Sequence, residues 1–324
     1  MNEKLSRPQF NQMDTTEKQT LMESLAARYN MTFLDLHTFD RWGQSSTTGI
    51  FEKDGRKFVF VPGDTVTLGW EQFAVGLNQE SREELEYLFR EWEMEPQNPE
   101  EMIRESMAPV RQAVIGPMLV GRELEELCWE PVKMDDPRLT AHPDWLKEFR
   151  DFAWSDSSSL TLHQSARIER TEDGFQTWIY HCTDYDALLA GLEKQGLSLP
   201  TADEWAYLCG GGCRTLFPWG DGLDYSMRLR WFEDMDEDEN RPYDMEEPNF
   251  FGLSIAYDPY MREVVKAEQF TTCGGDGGRS ICGGLGIFLG FLPCSPHYKP
   301  EVQEDKELNG DYDFYRPMIR VEAI

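Results

Sequence analysis

The stretch from Leu197 to Asp221 constrains the fold more tightly than any other part of this chain; it reads LSLPTADEWAYLCGGGCRTLFPWGD. Thr201 and Glu204 have the spacing of a capping box, in which each side chain bonds the backbone N–H of the other residue. The glycines at 210–212 then favour the left-handed backbone that ends a helix. The stretch therefore predicts a short capped helix, followed by an aromatic turn over 217–221.

The chain is long enough and apolar enough to form a substantial core. It has 324 residues, of which 40% are hydrophobic and 13% aromatic, and this composition argues against disorder. Ten tryptophans and 26 glycines favour a loop-rich fold fastened by large aromatic side chains. No apolar run reaches the length of a membrane span, and the opening segment MNEKLSRPQF lacks an apolar signal region. These features predict a cytoplasmic protein.

The charge and the cysteine count limit the classes of partner. The chain carries 31 basic and 60 acidic residues, a net charge of −29, which disfavours nucleic acid and anionic membranes as partners. A peptide, a protein or a small molecule remains open as a ligand. Seven cysteines in a predicted cytoplasmic chain favour free thiols over a disulfide framework.

Apolar spacing and turn signals predict further elements. Helical periodicity predicts helices over three segments: Thr15–Tyr29, Ser81–Glu95 and Tyr185–Lys194. Pro99 is placed to begin another short helix. Turns at Asp54-Gly55 and at 172–174 predict two hairpins, the second over Ala166–Ile179. The segment PVRQAVIGPMLV, Pro109–Val120, predicts strand, whereas 135–159 is polar and only weakly periodic.

The segment Glu233–Glu247 contains nine acidic residues. It lacks the D-x-D-x-D-G spacing and closing Glu of a calcium loop. The spacing therefore favours a solvated acidic loop over a calcium site.

The stretch at 197–221 resembles the signature of the formylglycine-generating-enzyme (sulfatase-modifying-factor) family, R-L-P-T-E-A-E-W-E-Y-A followed by Y-P-W-G. The matching residues are Leu199, Pro200, Thr201, Glu204, Trp205, Tyr207, Pro218, Trp219 and Gly220. Four other segments are similar to family patterns: FVFVPGDTVTLGW, PVRQAVIGPMLV, NFFGL at 249–253 and PMIRV at 317–321.

The resemblance implies a single α+β domain over 1–324 with the C-type-lectin-like, formylglycine-generating-enzyme fold, loop-rich, with small antiparallel sheets and short helices. Residues 1–48 would be a helical N-terminal extension, and 78–108 a helical insertion.

The segment Cys273–Cys294, CGGDGGRSICGGLGIFLGFLPC, has eight glycines between Cys273 and Phe291. Glycine density of this kind permits positive φ and close backbone approach. No Lys follows the glycines, so a phosphate-binding loop of the G-x-x-x-x-G-K-[ST] type is excluded. A backbone nest for an anion remains open, beside a tight loop with no ligand.

In the family that the chain resembles, two cysteines near the C-terminus bind Cu(I), and O₂ oxidises a substrate cysteine. Cys282 follows Gly277-Gly278 with the family's G-G-x-x-x-C spacing, but Ile287 stands at the position of the second cysteine. In another register, Arg279 stands at the position of the first. Cys273 or Cys294 would then have to supply a second thiolate from elsewhere in the fold. The resemblance thus marks Cys282 and Arg279 as candidate catalytic residues, and Cys282 and Cys273 as candidate Cu(I) ligands.

Other metal sites have weaker sequence support. The His-rich iron motif of a second family branch is absent, because no two of the five histidines lie within four positions of each other. The family's calcium motif G-N-V-W-E-W is also missing, although Asp258 and Glu263 lie in the corresponding region. Cys209 and Cys213 lack the second cysteine pair that zinc sites use.

Two functions remain open. In the first, the chain is a binding or accessory module that has lost the copper pair and uses the glycine-rich loop and an aromatic cleft. In the second, it is a copper- or other metal-dependent oxidoreductase that acts through Cys282 on a cysteine peptide or a small thiol. The missing second cysteine favours the first. A thiolate within about 4 Å of the Cys282 sulfur would favour the second, because two sulfur ligands of one ion lie about that far apart.

Overall fold

A computed structural model describes residues 5–93, 98–229 and 242–322. Over these residues the protein is a mixed α+β structure, in which short helices accompany several small, mainly antiparallel sheets. The α+β class predicted from the sequence is confirmed. Within the described part of the chain, no helix is both long and apolar enough to cross a membrane.

The strands of the described residues have these bounds: β1 Thr32–Arg41, β2 Gln44–Lys53, β3 Arg56–Val61, β4 Asp64–Leu68, β5 Arg111–Ile115, β6 Met118–Gly121, β7 Glu125–Glu126, β8 Trp129–Val132, β9 Ser159–Leu162, β10 Ala166–Thr171, β11 Gly174–Tyr180, β12 Arg262–Val265, β13 Thr271–Cys273, β14 Glu301–Val302, β15 Asp313–Tyr315 and β16 Met318–Arg320. The α-helices have these bounds: α1 Arg7–Phe10, α2 Thr15–Tyr29, α3 Gln79–Glu91, α4 Pro99–Arg104, α5 Pro137–Thr140, α6 Pro143–Ala153, α7 Tyr185–Lys194, α8 Ala202–Gly210, α9 Arg279–Cys282 and α10 Gly286–Gly290.

A five-stranded antiparallel sheet, in the order β1-β2-β3-β6-β16, lies between two hydrophobic cores. The side chains of a strand alternate between its two faces. In β3, Phe58 and Phe60 therefore pack in one core, whereas Val59 and Val61 pack in the other. The predicted turn at Asp54-Gly55 joins β2 to β3 and is confirmed.

Helix α2 covers the Phe58 side of this sheet and has the bounds that the sequence predicted. Its first turn is closed by a capping box between Asp14 and Glu17. Met22 is buried against Gly49 of β2, where a Cβ would come within 2.7 Å of the Met22 sulfur. The glycine therefore lets the helix lie close to the strand.

Helix α8 packs in the core on the Val59 side, and its predicted cap is confirmed. The Thr201 hydroxyl accepts a hydrogen bond from the Glu204 N–H, and the Glu204 carboxylate accepts one from the Thr201 N–H. Arg320 of β16 donates to the same carboxylate, with 2.8 Å between its Nε and Oε1. Gly211 then ends the helix at φ +60°. The cap thus ties α8 to the edge of the large sheet.

A second five-stranded sheet has the order β14-β13-β12-β15-β7 and carries the glycine-rich segment after β13. Its β12 and β15 strands are parallel, and its other neighbours are antiparallel. Glu263 of β12 is fully buried and forms an ion pair with Arg316, with 3.1 Å between the closest atoms. Glu263 is therefore part of the scaffold, although the sequence also allowed it as an ion ligand.

A four-stranded sheet, β8-β11-β10-β9, forms a smaller third core with α5 and α6. The predicted hairpin at 166–179 is confirmed as β10 and β11. The weakly periodic segment 135–159 contains both helices, which begin at Pro137 and Pro143. Helix α6 places Trp145, Leu146, Phe149 and Phe152 on one face, against the third core. This is the spacing of an amphipathic helix, so the sequence-based interpretation of the segment as weakly periodic was wrong for α6.

The segment 78–108 contains α3 and α4, and α4 begins at Pro99 as predicted. Helix α3 ends at Glu91, earlier than the predicted Glu95. Trp92 would lie on the apolar side of a helix that continued to Glu95, but this side chain follows the last turn and is 52% exposed. Helical spacing no longer applies once the helix has ended.

The predicted strand at Pro109–Val120 is divided into two. β5 pairs with β4 in a two-stranded sheet, whereas β6 lies between β3 and β16. Gly116 and Pro117 separate them, and a proline has no N–H to donate to a ladder. The chain therefore leaves one sheet at this point and enters another.

Most of the predicted acidic loop, residues 233–241, lies outside the described residues. Its C-terminal part contains a 3₁₀ helix, Asp244–Glu246. The Asp244 carboxylate accepts a hydrogen bond of 2.6 Å from the Arg228 N–H, and Arg41 donates to the backbone carbonyls of Asp244 and Glu247. These described residues thus make specific polar contacts with two arginines.

Candidate functional site

The glycine-rich loop runs from β13 through α9 and α10, and its path depends on glycine backbone. Gly277 and Gly278 have φ of +72° and +78°, and Gly284 and Gly286 have φ of +78° and +74°. L side chains rarely adopt this conformation. A Cβ at Gly278 would also overlap the ring of Tyr260. The path of this loop therefore requires glycine at these positions.

Asp276 fastens the start of α9. It is buried, and its N–H donates to the Pro259 carbonyl oxygen at 3.0 Å. Its Oδ2 atom accepts hydrogen bonds from the Ser280 N–H at 2.9 Å and from the Ser280 hydroxyl at 2.6 Å. The loop is therefore fixed to the segment that precedes β12.

Cys282 is the last residue of α9, and its thiol is exposed. The sulfur lies 2.6 Å from the Tyr260 hydroxyl oxygen, and the Cys282 N–H donates to the Gly278 carbonyl oxygen at 2.8 Å. The hydrogen bond to Cys282, together with partial burial, raises the pKa of Tyr260 to about 12. The structure thus presents Cys282 as an accessible thiol with a tyrosine partner.

Arg279 begins the same short helix but faces a different environment. Its guanidinium pairs with Glu301, and its Nε donates to the Asp276 carbonyl oxygen at 3.0 Å. Burial raises the pKa of Glu301, and the positive charge of Arg279 opposes this shift. Arg279 also lines a polar cleft of about 810 Å³, while its side chain is 66% exposed. It is therefore placed to contact a ligand in this cleft.

The cleft beside Arg279 is lined mainly by polar and charged side chains. Its cationic residues are Arg262 and Arg279. Four carboxylates also line it: Glu301, Glu304, Asp305 and Glu307. The cleft thus has more acidic than basic side chains, in keeping with the net charge of the chain.

Cys273, the other candidate metal ligand, is buried on β13, opposite Glu263. Burial is the main cause that raises the pKa of its thiol, and the neighbouring Glu263 and Glu301 add to the shift. Cys294 is also buried, and its thiol donates to the Gly274 carbonyl oxygen at 3.6 Å. Both are core thiols, in contrast to the exposed Cys282.

Three aromatic side chains lie along the glycine-rich loop, each against a glycine. Tyr312 lies against Gly277 and Tyr260 against Gly278, whereas Trp92 lies 3.7 Å from the position of a Cβ at Gly284. We call Tyr260, Tyr312 and Trp92 the aromatic rim. Sequence reasoning expected aromatic residues near the loop but identified none of these three. No local signal marks them, because they come from three separate segments of the chain.

Cys213 forms a second thiol environment, near the end of α8. Its sulfur lies 3.8 Å from the Nε2 atom of His297, but this nitrogen also lies 3.0 Å from the Thr215 carbonyl oxygen. A carbonyl oxygen only accepts, so Nε2 carries the proton and does not act as a base toward Cys213. Burial also lowers the pKa of His297 to about 4. The pair is therefore unsuited to nucleophilic catalysis of the Cys–His type.

The described residues contain no cluster of ligands for the zinc and calcium sites that the sequence analysis considered. No group of three or more His, Cys, Asp or Glu side chains within 5–93, 98–229 and 242–322 has the arrangement of a metal site. Cys209 is buried, and its thiol donates to the Cys294 carbonyl oxygen at 3.9 Å.

No protein-family model matches this chain, and no curated protein sequence matches it. The family resemblance therefore depends on the motif residues themselves. Thr201, Glu204 and Trp205 of that motif lie on α8 or cap it, and Trp219 lies beyond its end, stacked on Phe217 with ring centroids 4.8 Å apart.

Proposed function

We propose that the chain is a divergent member of the formylglycine-generating-enzyme family, with its C-type-lectin-like fold. The motif residues support this proposal, because several of them have structural tasks on which a shared fold would depend. Thr201 and Glu204 cap α8, and Tyr207 donates a hydrogen bond of 2.9 Å to the Pro62 carbonyl oxygen. Asn249 donates to the Leu208 carbonyl oxygen at 2.8 Å. These contacts join the signature helix to two of the other family-like segments.

We propose further that the chain acts as a binding or accessory module through the glycine-rich loop. The observation that carries this proposal is the aromatic rim, whose three rings lie against loop glycines. Glycine backbone lets a ligand approach closely, and aromatic rings provide a large contact area for little side-chain entropy. Together they form a surface with the components of a recognition site.

The ligand that we propose is a basic peptide segment. The chain has a net charge of −29, and the cleft next to Arg279 is lined by four carboxylates and two arginines. Opposite charges steer association and discriminate against unsuitable partners. Arg279 belongs to the loop and also lines the cleft. A peptide with Lys or Arg side chains would therefore place its charges beside the acidic wall.

The test is a fluorescence-polarisation screen of labelled basic peptides, with charge-reversed peptides of the same length. A peptide that binds the native protein is then titrated against Trp92→Ala and Tyr312→Ala. Affinity should fall about tenfold in each, as expected for an aromatic contact at the centre of an interface. Trp154→Ala is the matched control, because this tryptophan follows α6 and is 92% exposed. Equal binding to all three variants, or no binding by any basic peptide, would contradict the proposal.

A second function, thiol oxidoreduction through Cys282, is favoured by one observation. Cys282 has an exposed thiol, and a cysteine must be accessible in order to react. A two-thiolate Cu(I) site fits the described residues poorly. Cys273 and Cys294, its candidate partners, are buried thiols with raised pKa values. We therefore assign no step to copper.

Titration of the reduced protein with Cu(I) against a competing chelator separates the two functions. The binding-module proposal expects native protein, Cys282→Ala and Cys273→Ala to compete equally. Tight one-to-one binding that is lost in Cys282→Ala would instead favour the oxidoreductase.

A further inference from the structure

Glu84 of α3 makes direct contact with the glycine-rich loop. One of its carboxylate oxygens accepts hydrogen bonds from the backbone N–H groups of Ile287 and Phe288, the latter at 3.2 Å. The other oxygen accepts one from the Tyr225 hydroxyl. A Cβ at Gly286 would overlap this carboxylate. The side chain thus satisfies N–H groups in the first turn of α10, which have no partner within their own helix.

Helix α10 packs tightly against α9, so the position of α9 depends on that of α10. Gly290 lies so close to Ile281 that a Cβ at 290 would come within 2.9 Å of the Ile281 Cα atom. Ile281 precedes Cys282, and its side chain packs against the core on the Val59 side of the large sheet, together with Leu285 and Ile287. Displacement of α10 would therefore move α9, since tightly packed elements do not yield independently.

Helix α3 leads directly into Trp92, which belongs to the aromatic rim. Trp92 directly follows α3 and lies over Gly284, which separates α9 from α10. Leu85 and Leu88 of α3 are buried in the core that also contains Phe288 and Leu289 of α10. Helix α3 therefore contacts the loop through a carboxylate, an aromatic ring and apolar side chains.

We infer that Glu84 is a positioning residue: through α10 and α9 it sets the place of the Cys282 thiol and its hydrogen bond to Tyr260. The inference rests on the proposed role of the loop as the recognition surface. On this inference, the helical segment 78–108 holds the glycine-rich loop in the conformation that a ligand binds. The Glu84 carboxylate accepts hydrogen bonds from α10 and from Tyr225, so we infer that its effect on Cys282 is transmitted by packing.

The test compares Glu84→Ala with Glu84→Gln, in which a side-chain oxygen can still accept from α10. Glu86→Ala is the matched control, because Glu86 is an exposed carboxylate on the same helix. Backbone hydrogen exchange should accelerate about tenfold at Ile287 and Phe288 in Glu84→Ala, the factor expected for loss of a charge-assisted hydrogen bond. The Cys282 amide should accelerate as well, although Glu84 does not bond it. Both effects should be largely restored in Glu84→Gln and absent from Glu86→Ala.

A second readout follows the thiol itself. In a Cys182→Ser background, which removes the other exposed thiol, the rate of Cys282 alkylation is measured at one fixed pH beside Tyr260→Phe. The rate in Glu84→Ala should move toward that in Tyr260→Phe, since both weaken the same hydrogen bond, and Glu84→Gln should restore it. A purely local stabilising role would accelerate exchange at Ile287 and Phe288 but leave the Cys282 amide and the alkylation rate unchanged, and this result would overturn the inference.

Neither readout requires a peptide ligand. If both behave as expected while no peptide binds, the positioning role stands and the binding proposal fails. If a peptide binds to the aromatic rim while Glu84→Ala leaves both readouts unchanged, the binding proposal stands and the positioning role fails.

Discussion

Replacement of Arg316 by Met should remove a large part of the stability of the scaffold. The guanidinium is completely buried and pairs with Glu263, of which only 2% is exposed. It also donates to three backbone carbonyl oxygens: those of Gly121 at 2.7 Å, Arg122 at 3.0 Å and Ser254 at 2.6 Å. Methionine fills a similar volume but donates nothing. The variant therefore keeps the packing and loses every polar contact of the side chain.

The size of the effect follows from these contacts. Breaking a buried ion pair by removal of one partner costs about 3–5 kcal/mol, because the remaining charge is left without compensation. The three carbonyls lose a charged donor, and each loss costs about 1 kcal/mol or more. Since these terms are not additive, we expect at least about 4 kcal/mol. This is a large fraction of the total, because folded proteins are stable by about 5–15 kcal/mol.

Urea unfolding, followed by circular dichroism and tryptophan fluorescence, measures the loss. The double variant Arg316→Met with Glu263→Gln should recover part of it, because it removes the unpaired carboxylate. Arg279→Met is the exposed comparison: its ion pair with Glu301 lies at the surface and should contribute less than about 1 kcal/mol. A cost below about 2 kcal/mol for Arg316→Met, or a double variant no more stable than the single one, would refute the reasoning that an unpaired buried charge dominates the loss.

Three further predictions concern thiols, pH and a helix cap. In the native protein, Cys182 and Cys282 should react rapidly with Ellman's reagent, because they are the exposed cysteines, whereas the half-buried Cys213 should react more slowly and the four buried thiols only after unfolding. A third fast thiol would contradict this assignment. Burial lowers the pKa of His297 to about 4, whereas an unfolded His titrates near about 6.5. The stability contributed by neutral His297 is thus complete above about pH 6.5 and is lost as the pH falls toward about 4, so urea unfolding of His297→Gln should show a flatter pH dependence than that of the native protein, and an equally steep one would contradict the prediction. Thr201→Ala should cost about 1 kcal/mol of unfolding free energy, because the Glu204 N–H at the start of α8 loses its hydroxyl acceptor, and an unchanged urea midpoint would contradict this role.

The elements predicted most accurately are those whose ends are set by neighbouring residues. Helix α2 spans Thr15–Tyr29 and α7 spans Tyr185–Lys194, as their apolar spacing predicted. The cap at Thr201 was also correct, because a capping box joins residues only three positions apart. Predictions failed where a tertiary contact intervened. The strand expected at Pro109–Val120 is divided because its two halves pair in different sheets.

For the candidate site, the sequence by itself determined the glycine-rich loop, because glycine density is a local property, whereas the family resemblance marked Cys282 and Arg279 as candidates within it. Only the tertiary structure decided which residues surround them. Tyr260 lies 22 residues from Cys282 along the chain, and Glu84 lies 203 residues from Ile287. The tertiary structure also buried Cys273 and left Cys282 exposed, although both belong to the same segment. Burial and long-range hydrogen bonds depend on how separate elements pack, and no local pattern of residues specifies that packing.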